Sequence, residues 1–210
     1  MLSEWARNYS KRIRGAAALV FGRLGFSPNG LTVLGLVLNL PVAYVLAVGH
    51  LRLGGILMVL ASAFDSLDGA LARETDQGTV FGAFLDSVAD RLSEAIVLLG
   101  LFLFYLPRGA RQELILIYAT LLGSLMVSYT RARAEGVGVE CKSGWFTRFE
   151  RVVLLAVGLV AQQMRIVLWV LAVLTNFTVV QRVLHVWRAT HEGHGGSHGL
   201  QGGGGTSQRD

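Results

Sequence analysis

Four aspartates, Asp65, Asp68, Asp86 and Asp90, fall within DSLDGALARETDQGTVFGAFLDSVAD, amid some of the most apolar sequence of the chain. An ionised carboxylate inside a membrane-spanning helix costs about 2.5 kcal/mol or more on insertion scales, so these side chains require compensation. Asp65 and Asp68 are three residues apart and Asp86 and Asp90 four apart, which puts each pair on one helical face. If the two faces meet across an antiparallel hairpin, the four carboxylates form one cluster with room for two cations. Hard oxygen donors in that number suit magnesium or manganese, or calcium in a roomy site, rather than zinc, which favours His and Cys.

The elements that carry these residues are hydrophobic throughout. The chain has 210 residues, 52% of them hydrophobic and 16% charged, and its mean hydropathy is +0.51. Such a composition excludes an ordinary soluble domain and reads as an all-α integral membrane protein. The sequence predicts six transmembrane helices, over about 31–49, 54–73, 79–106, 112–134, 149–161 and 166–187. Pro41 is expected to kink the first. An amphipathic juxtamembrane helix is expected within residues 1–26, where Arg7, Lys11, Arg12, Arg14 and Arg23 alternate with Trp5, Ile13, Leu19 and Phe21. The membrane domain is assigned to residues 27–189. Residues 190–210, rich in Gly and containing His191, His194 and His198, are expected to be a disordered tail without a scaffold for metal. No cleavable signal peptide is expected, because the first long apolar run starts near Leu31 without a small-residue cleavage site.

The net charge of +5 does not form a dense basic patch interleaved with aromatics, so nucleic acid is not expected as a partner. With a cytoplasmic N-terminus, the outer links hold only Arg52, Arg108, Arg111 and Arg165, and the remaining basic residues of the links lie inside. That asymmetry predicts a multi-pass protein of the inner membrane, with both termini and the aspartate-bearing link on the cytoplasmic side. The single cysteine, Cys141, rules out an intramolecular disulfide and is expected to be a small core or loop residue.

Small and basic residues accompany the aspartates. Gly69 follows Asp68 and Gly82 lies one turn before Asp86; they would let two helices approach closely or leave a slot for a ligand. Arg73 would snorkel towards headgroups or hold a phosphate. The whole pattern, Asp65-x-x-Asp68-Gly69-x-x-Ala72-Arg73, eight residues, Gly82, three residues, Asp86, three residues, Asp90, resembles in full the signature of the CDP-alcohol phosphotransferase family. The resemblance spans about residues 27–188 and leaves out the tail.

The resemblance implies transfer of a substituted phosphate from a CDP-linked lipid, usually CDP-diacylglycerol, to an alcohol, with release of CMP. It implies that Asp65, Asp68, Asp86 and Asp90 hold two divalent cations, Mg2+ with Mn2+ as an alternative, and that Asp68, Gly69, Ala72, Arg73 and Gly82 shape the cytidine nucleotide site. It implies a homodimer, and Asp90 as the base that takes the proton of the attacking hydroxyl.

A second set of basic residues bears on the acceptor. Arg131 and Arg133 close the fourth helix, and Lys142, Arg148 and Arg151 surround the start of the fifth, more positive charge than topology requires and suited to an acceptor with its own phosphate. SYTRARAEG followed by FERVVLL is similar to the corresponding region of prokaryotic phosphatidylinositol phosphate synthases, which implies inositol phosphate. Phosphatidylglycerophosphate synthases, which use glycerol 3-phosphate, are the alternative; if the arginines are only topological anchors, serine or free inositol would serve. Tyr129 and Glu150 are assigned core or pairing roles ahead of acceptor contacts, and Asn29 and Thr32 are not assigned to catalysis. From other classes, an intramembrane cation carrier would also place carboxylates in the membrane, and structural glue between helices would make Asp86→Asn a folding defect. For Asp90→Asn the expected outcome is loss of CMP release with nucleotide binding largely intact; near-normal turnover in that variant would overturn the role of Asp90.

Overall fold

The computed structural model describes residues 18–141 and 146–195, with side chains through His191. Most of the expected N-terminal amphipathic helix, Lys142 and most of the tail lie outside the described residues. A helical stretch at 18–23 leads through Gly25 into Ser27, whose side chain accepts a hydrogen bond from the Gly30 amide (3.1 Å) and starts α1, Pro28–Ala47. Pro28 sits at the first turn, where its missing N–H leaves nothing unpaired. Pro41 stays inside α1, which continues through it.

A three-residue turn then reverses the chain into α2, Leu51–Glu74. Gly49 takes φ +97 there, with Phe104 3.3 Å from where a Cβ would project, so both conformation and space favour glycine. Thr79 caps α3, Val80–Tyr105, by accepting from the Gly82 amide (2.9 Å). After one 3-10 turn, Leu106–Arg108, α4 runs over Arg111–Gly136. Thr147 and Glu150 close a reciprocal capping box on α5, Arg148–Ala161, which gives Glu150 the pairing role expected of it. Gln162, at φ +58, turns the chain into α6, Met164–Gly195. The helix thus takes in the first six residues, 190–195, of the segment expected to be a disordered tail.

The helices pack in a closed ring, α1 on α2, α2 on α5, α5 on α6, α6 on α4, α4 on α3 and α3 back on α1. Within it, Val42 and Leu46 of α1, Met58 of α2, Leu98 and Leu101 of α3, Ile117 of α4, Leu155 and Leu159 of α5, and Leu168 and Leu171 of α6 share one core. The outer surface is apolar as well: Val37 and Tyr44, Ile56 and Leu60, Ile115 and Tyr118, Trp169 and Phe177 are all exposed. In a bundle whose interior is already filled, this belt is what lipid would cover.

Four helical stretches are long and apolar enough to cross a membrane: Pro28–Ala47, Leu51–Glu74, Arg111–Gly136 and Met164–His191. All six expected helices are formed, but α3 and α5 fall short of that standard for different reasons. α3 carries four charged residues, Asp86, Asp90, Arg91 and Glu94, near its middle. The 14 residues of α5 rise only about 21 Å at 1.5 Å per residue, less than the roughly 30 Å of hydrocarbon.

The faces that bear Asp65 and Asp90 converge through Arg148, while the backbones of α2 and α3 are kept apart by α1, which packs on both. Gly100 makes the α1–α3 crossing close, since a Cβ there would stand 2.5 Å from the carbonyl oxygen of Ala43 and 2.7 Å from its Cα. Backbone atoms cannot step aside as a flexible side chain can. Gly100→Val is therefore expected to destabilise the bundle by about 1–3 kcal/mol, read as a lower melting temperature in detergent; an unchanged melt would show that α1 and α3 separate freely.

Candidate active site

Because α1 holds α2 and α3 apart, a space of about 460 Å³ opens among the start of α1, the end of α2 and the start of α3. Asp68, Gly69, Ala72, Arg73, Gly82 and Asp86 all line it, together with Asn29, Thr32, Gln77 and Thr79. Asp68 is fully engaged: Thr32 Oγ1 donates to its Oδ2 (2.5 Å), and the Gly69 amide donates to its Oδ1. Thr32 Oγ1 also lies 3.2 Å from the Pro28 carbonyl, but its one proton serves the closer carboxylate. Thr32 is thus a direct support of Asp68, and it is 2% exposed. A Cβ on Gly82 would come within 3.0 Å of Asn29 Oδ1 and Thr79 Oγ1, so the glycine keeps this wall of the cavity low.

Asp65 and Asp90 do not line this space. Asp65 faces Gly35 of α1, where a Cβ would approach its Oδ1 to 2.9 Å. Arg148, the first residue of α5, bridges the two carboxylates: Nη2 donates to Asp65 Oδ2 (2.9 Å) and Nη1 stands 2.5 Å from Asp90 Oδ1. The second contact lacks hydrogen-bond direction, since Asp90 Oδ1 has no hydrogen-bond partner; neither do Asp65 Oδ1 and Arg148 Nε. The negative charge is shared across the group, with Asp65 acting electrostatically on Asp68, Asp86 and Asp90.

Among the described residues, no three acidic, His or Cys side chains converge as a ready metal cage. The expected four-carboxylate cluster is present as a group of mutually repelling charges with a guanidinium set between two of its members. The donor chemistry nevertheless fits a divalent cation. The available ligands are hard carboxylate oxygens, and two of them, Asp65 Oδ1 and Asp90 Oδ1, are buried without a donor.

A second space, of about 220 Å³, lies beyond Asp90 and is lined by Arg91, Glu94, Ser128, Arg131, Thr147, Arg148, Arg151 and Arg182. It brings Arg131, Arg148 and Arg151 together. Arg133 is exposed and lines none of these cavities, and Lys142 lies outside the described residues. Arg131 is tied to Glu135 on the surface of α4 (2.9 Å). Arg151 is held by both carboxylate oxygens of Glu94 (2.8 and 2.9 Å), and both side chains are at most 10% exposed.

Sequence reasoning passed over Glu94, Arg91 and Arg182. Glu94 continues the face of Asp86 and Asp90 at the next i+4 position. Arg182, 6% exposed and donating to the Val127 carbonyl, shows the same energetic anomaly as the aspartates.

A membrane-embedded helical bundle whose carboxylates flank a nucleotide-sized cavity, with a basic cavity next to it, is the arrangement of a lipid phosphotransferase. Residues 26–187 match the model of the CDP-alcohol phosphatidyltransferase family, and the chain belongs to that family. It is 38% identical over 161 residues, 76% of this chain and 83% of the relative, to the archaetidylinositol phosphate synthase of Pyrococcus horikoshii. To the phosphatidylinositol phosphate synthase of Mycobacteroides abscessus it is 32% identical over 187 residues, 85% of each chain. The crystal structure of Mycobacterium tuberculosis phosphatidylinositol phosphate synthase with CDP-DAG bound superposes with a TM-score of 0.79 at 32% identity, covering 84% of this chain and 94% of that one. The same mycobacterial enzyme in complex with manganese and citrate gives a TM-score of 0.78, covering 83% and 88%. The chain is therefore a multi-pass membrane transferase, and the cation-carrier alternative falls away.

The Glu94–Arg151 fork is the tightest ion pair next to the site. Glu94→Ala would leave a buried guanidinium uncompensated, and the expected cost is about 3–5 kcal/mol. A clear drop in melting temperature would register it; a melt equal to that of the parent would show that Arg151 finds another acceptor.

Proposed function

We propose that the protein transfers a phosphatidyl group from CDP-diacylglycerol to inositol phosphate, releasing CMP, at the cytoplasmic face of the inner membrane. The observation that carries this reading is the adjacency of two cavities along α3: Asp86 lines the space that holds the nucleotide-site motif, and Asp90, one turn on, lines the basic space. Donor and acceptor would meet at that turn.

In this reading the cytidine diphosphate lies along Gly69, Ala72 and Gly82, whose small side chains give it room, with Arg73 beside its phosphates. Asp65, Asp68, Asp86 and Asp90 would hold divalent cations, with two Mg2+ ions as the best fit to the number of carboxylates. Bound there, the cations supply neutralisation of the diphosphate and of the CMP leaving group. Thr32 orients Asp68 through its hydrogen bond. Asp90 accepts the proton of the acceptor hydroxyl as its oxygen bonds to the lipid-bearing phosphorus and the bond from that phosphorus to CMP breaks. Arg131, Arg148 and Arg151, with Arg182, provide the positive wall that receives the acceptor's own phosphate.

The names carried by the relatives favour inositol phosphate over glycerol 3-phosphate, and the phosphate itself accounts for the arginines that line the second cavity. All six helices would cross or enter the bilayer, with the charged middle of α3 and the short α5 sheltered by their neighbours. A homodimer is proposed on the family resemblance, which would cover part of the apolar outer surface.

An acceptor panel tests the reading. Purified protein with CDP-diacylglycerol and Mg2+ should release CMP with inositol phosphate. Free inositol, which forgoes charged hydrogen bonds of about 1.5–3 kcal/mol each, should react about 10- to 100-fold more slowly. Faster release with glycerol 3-phosphate would transfer the assignment to that acceptor.

A further inference from the structure

Arg148 touches two of the carboxylates, Asp65 and Asp90, and also lines the basic cavity; Arg91, which lines it too, reaches Asp90 alone, at 3.8 Å. We propose that Arg148 is a positioning residue that divides its time between these two partners, so that divalent cation and phosphorylated acceptor bind cooperatively. The inference rests on the reading above, in which Asp65 and Asp90 hold cation and the basic cavity receives the acceptor's phosphate.

The two arginines at the start of α5 are held in contrasting ways. Arg151 presents a fork to both oxygens of a single carboxylate, Glu94, and its side chain is 5% exposed. That geometry is bidentate and closed. Arg148 spreads over two different carboxylates, one contact lacks hydrogen-bond direction, its Nε has no acceptor, and its side chain is 33% exposed. It is placed to let go while Arg151 keeps α5 in position.

Competition with cation follows from geometry. A magnesium or manganese ion binds carboxylate oxygen at about 2.0–2.2 Å, and the guanidinium nitrogens stand at 2.5 and 2.9 Å from oxygens of the same two residues. A cation on Asp90 Oδ1 takes the oxygen that Arg148 Nη1 faces, and on Asp65 Oδ1 it sets a like charge beside the guanidinium, so an arriving cation loosens the hold of both carboxylates on the guanidinium. Its Cα is fixed in the first turn of α5, and the space within reach is the cavity it already lines. A basic residue at a helix N-terminus is disfavoured by the helix dipole; an anion beside Arg148 would offset that once the carboxylates are taken. Cation therefore frees a ligand for the acceptor's phosphate, and phosphate draws away the competitor of the cation. Linkage makes the two effects equal in size.

The test uses the full chain in detergent micelles, with free Mn2+ followed by electron paramagnetic resonance and inorganic phosphate as the acceptor probe. For the parent protein, saturating phosphate is expected to tighten Mn2+ by about fivefold or more, within the usual range of coupling between sites. Arg148→Gln is expected to bind Mn2+ at least about fivefold tighter without phosphate, and to lose the phosphate effect. Mn2+ affinity equal to or weaker than the parent's in Arg148→Gln would overturn the proposal and leave Arg148 a structural clamp. Should that variant not fold, Arg148→Lys, which keeps the charge and loses the fork, is expected to show a smaller tightening and a reduced phosphate effect; parent-like values there overturn the proposal equally. Failure of the acceptor assignment reads differently: inositol phosphate would give no CMP release while the competition between Arg148 and Mn2+ persisted.

Discussion

Burying carboxylates in apolar helices is tolerable only where each finds a positive or proton-donating neighbour, and that requirement organises one end of this bundle. Asp68 is met by Thr32 of α1 and by the amide of Gly69. Asp65 and Asp90 are met by Arg148, and Glu94 by Arg151. Since Arg148 and Arg151 both stand in the first turn of α5, this short helix is coupled to α2 through Asp65 and to α3 through Asp90 and Glu94. A 14-residue helix has little apolar surface with which to fix its position, and these ion pairs compensate for that shortage. Each pair contributes little over a well-packed apolar alternative, yet leaving one half unpaired is costly. The charges therefore specify which helices come together more than they add to the stability of the bundle.

The same end owes its cavities to helix α1. By standing between α2 and α3 it prevents the two aspartate-bearing helices from closing on each other, and the gap that results is the nucleotide-sized space. Glycines make the arrangement close enough to work. Gly35 lets α1 pass beside the Asp65 carboxylate, and Gly100 lets α3 reach the α1 backbone at Ala43. The far end of the bundle is fastened separately, by Arg165 at the start of α6 donating to the buried Glu113 at the start of α4 (2.7 Å). Both ends are thus held by charge and the middle by the shared apolar core, while the outer surface is left to lipid.

What could be read from the sequence was local. Helix limits followed from apolar runs, and they agree with the observed elements to within a few residues except at the end of α6, which runs eight residues past the expected 187. Much of the motif was legible because its members are spaced within two consecutive helices, so the grouping of Asp68, Gly69, Ala72, Arg73, Gly82 and Asp86 on one cavity needs no knowledge of distant packing. The ring order was not legible, since nothing in the order of the segments places α1 between α2 and α3 or brings α5 beside α2. For the same reason Glu94 was missed although it continues the i+4 series of Asp86 and Asp90: its importance comes from Arg151, fifty-seven residues away. Arg133 was grouped with Arg131 by proximity in sequence, but two residues along a helix turn a side chain by about 200°, and it stands away from the cavity that Arg131 lines.

This difference in locality bears on how the two halves of the chemistry can vary. The donor cavity is built mainly from the end of α2, the start of α3 and the link between them, a continuous stretch in which a change of length would move carboxylate against carboxylate. The basic cavity draws its residues from four helices distant in sequence, α3, α4, α5 and α6. A side chain there can change without shifting a helix, provided that Glu94 keeps its partner. In the proposed reading one donor framework can accordingly support different acceptor alcohols, with Asp90 belonging to both sets: it stands in the carboxylate group and also lines the basic cavity. Arg148 shares that double membership, and the two touch each other. The boundary between invariable donor chemistry and adjustable acceptor choice therefore passes through a single ion pair.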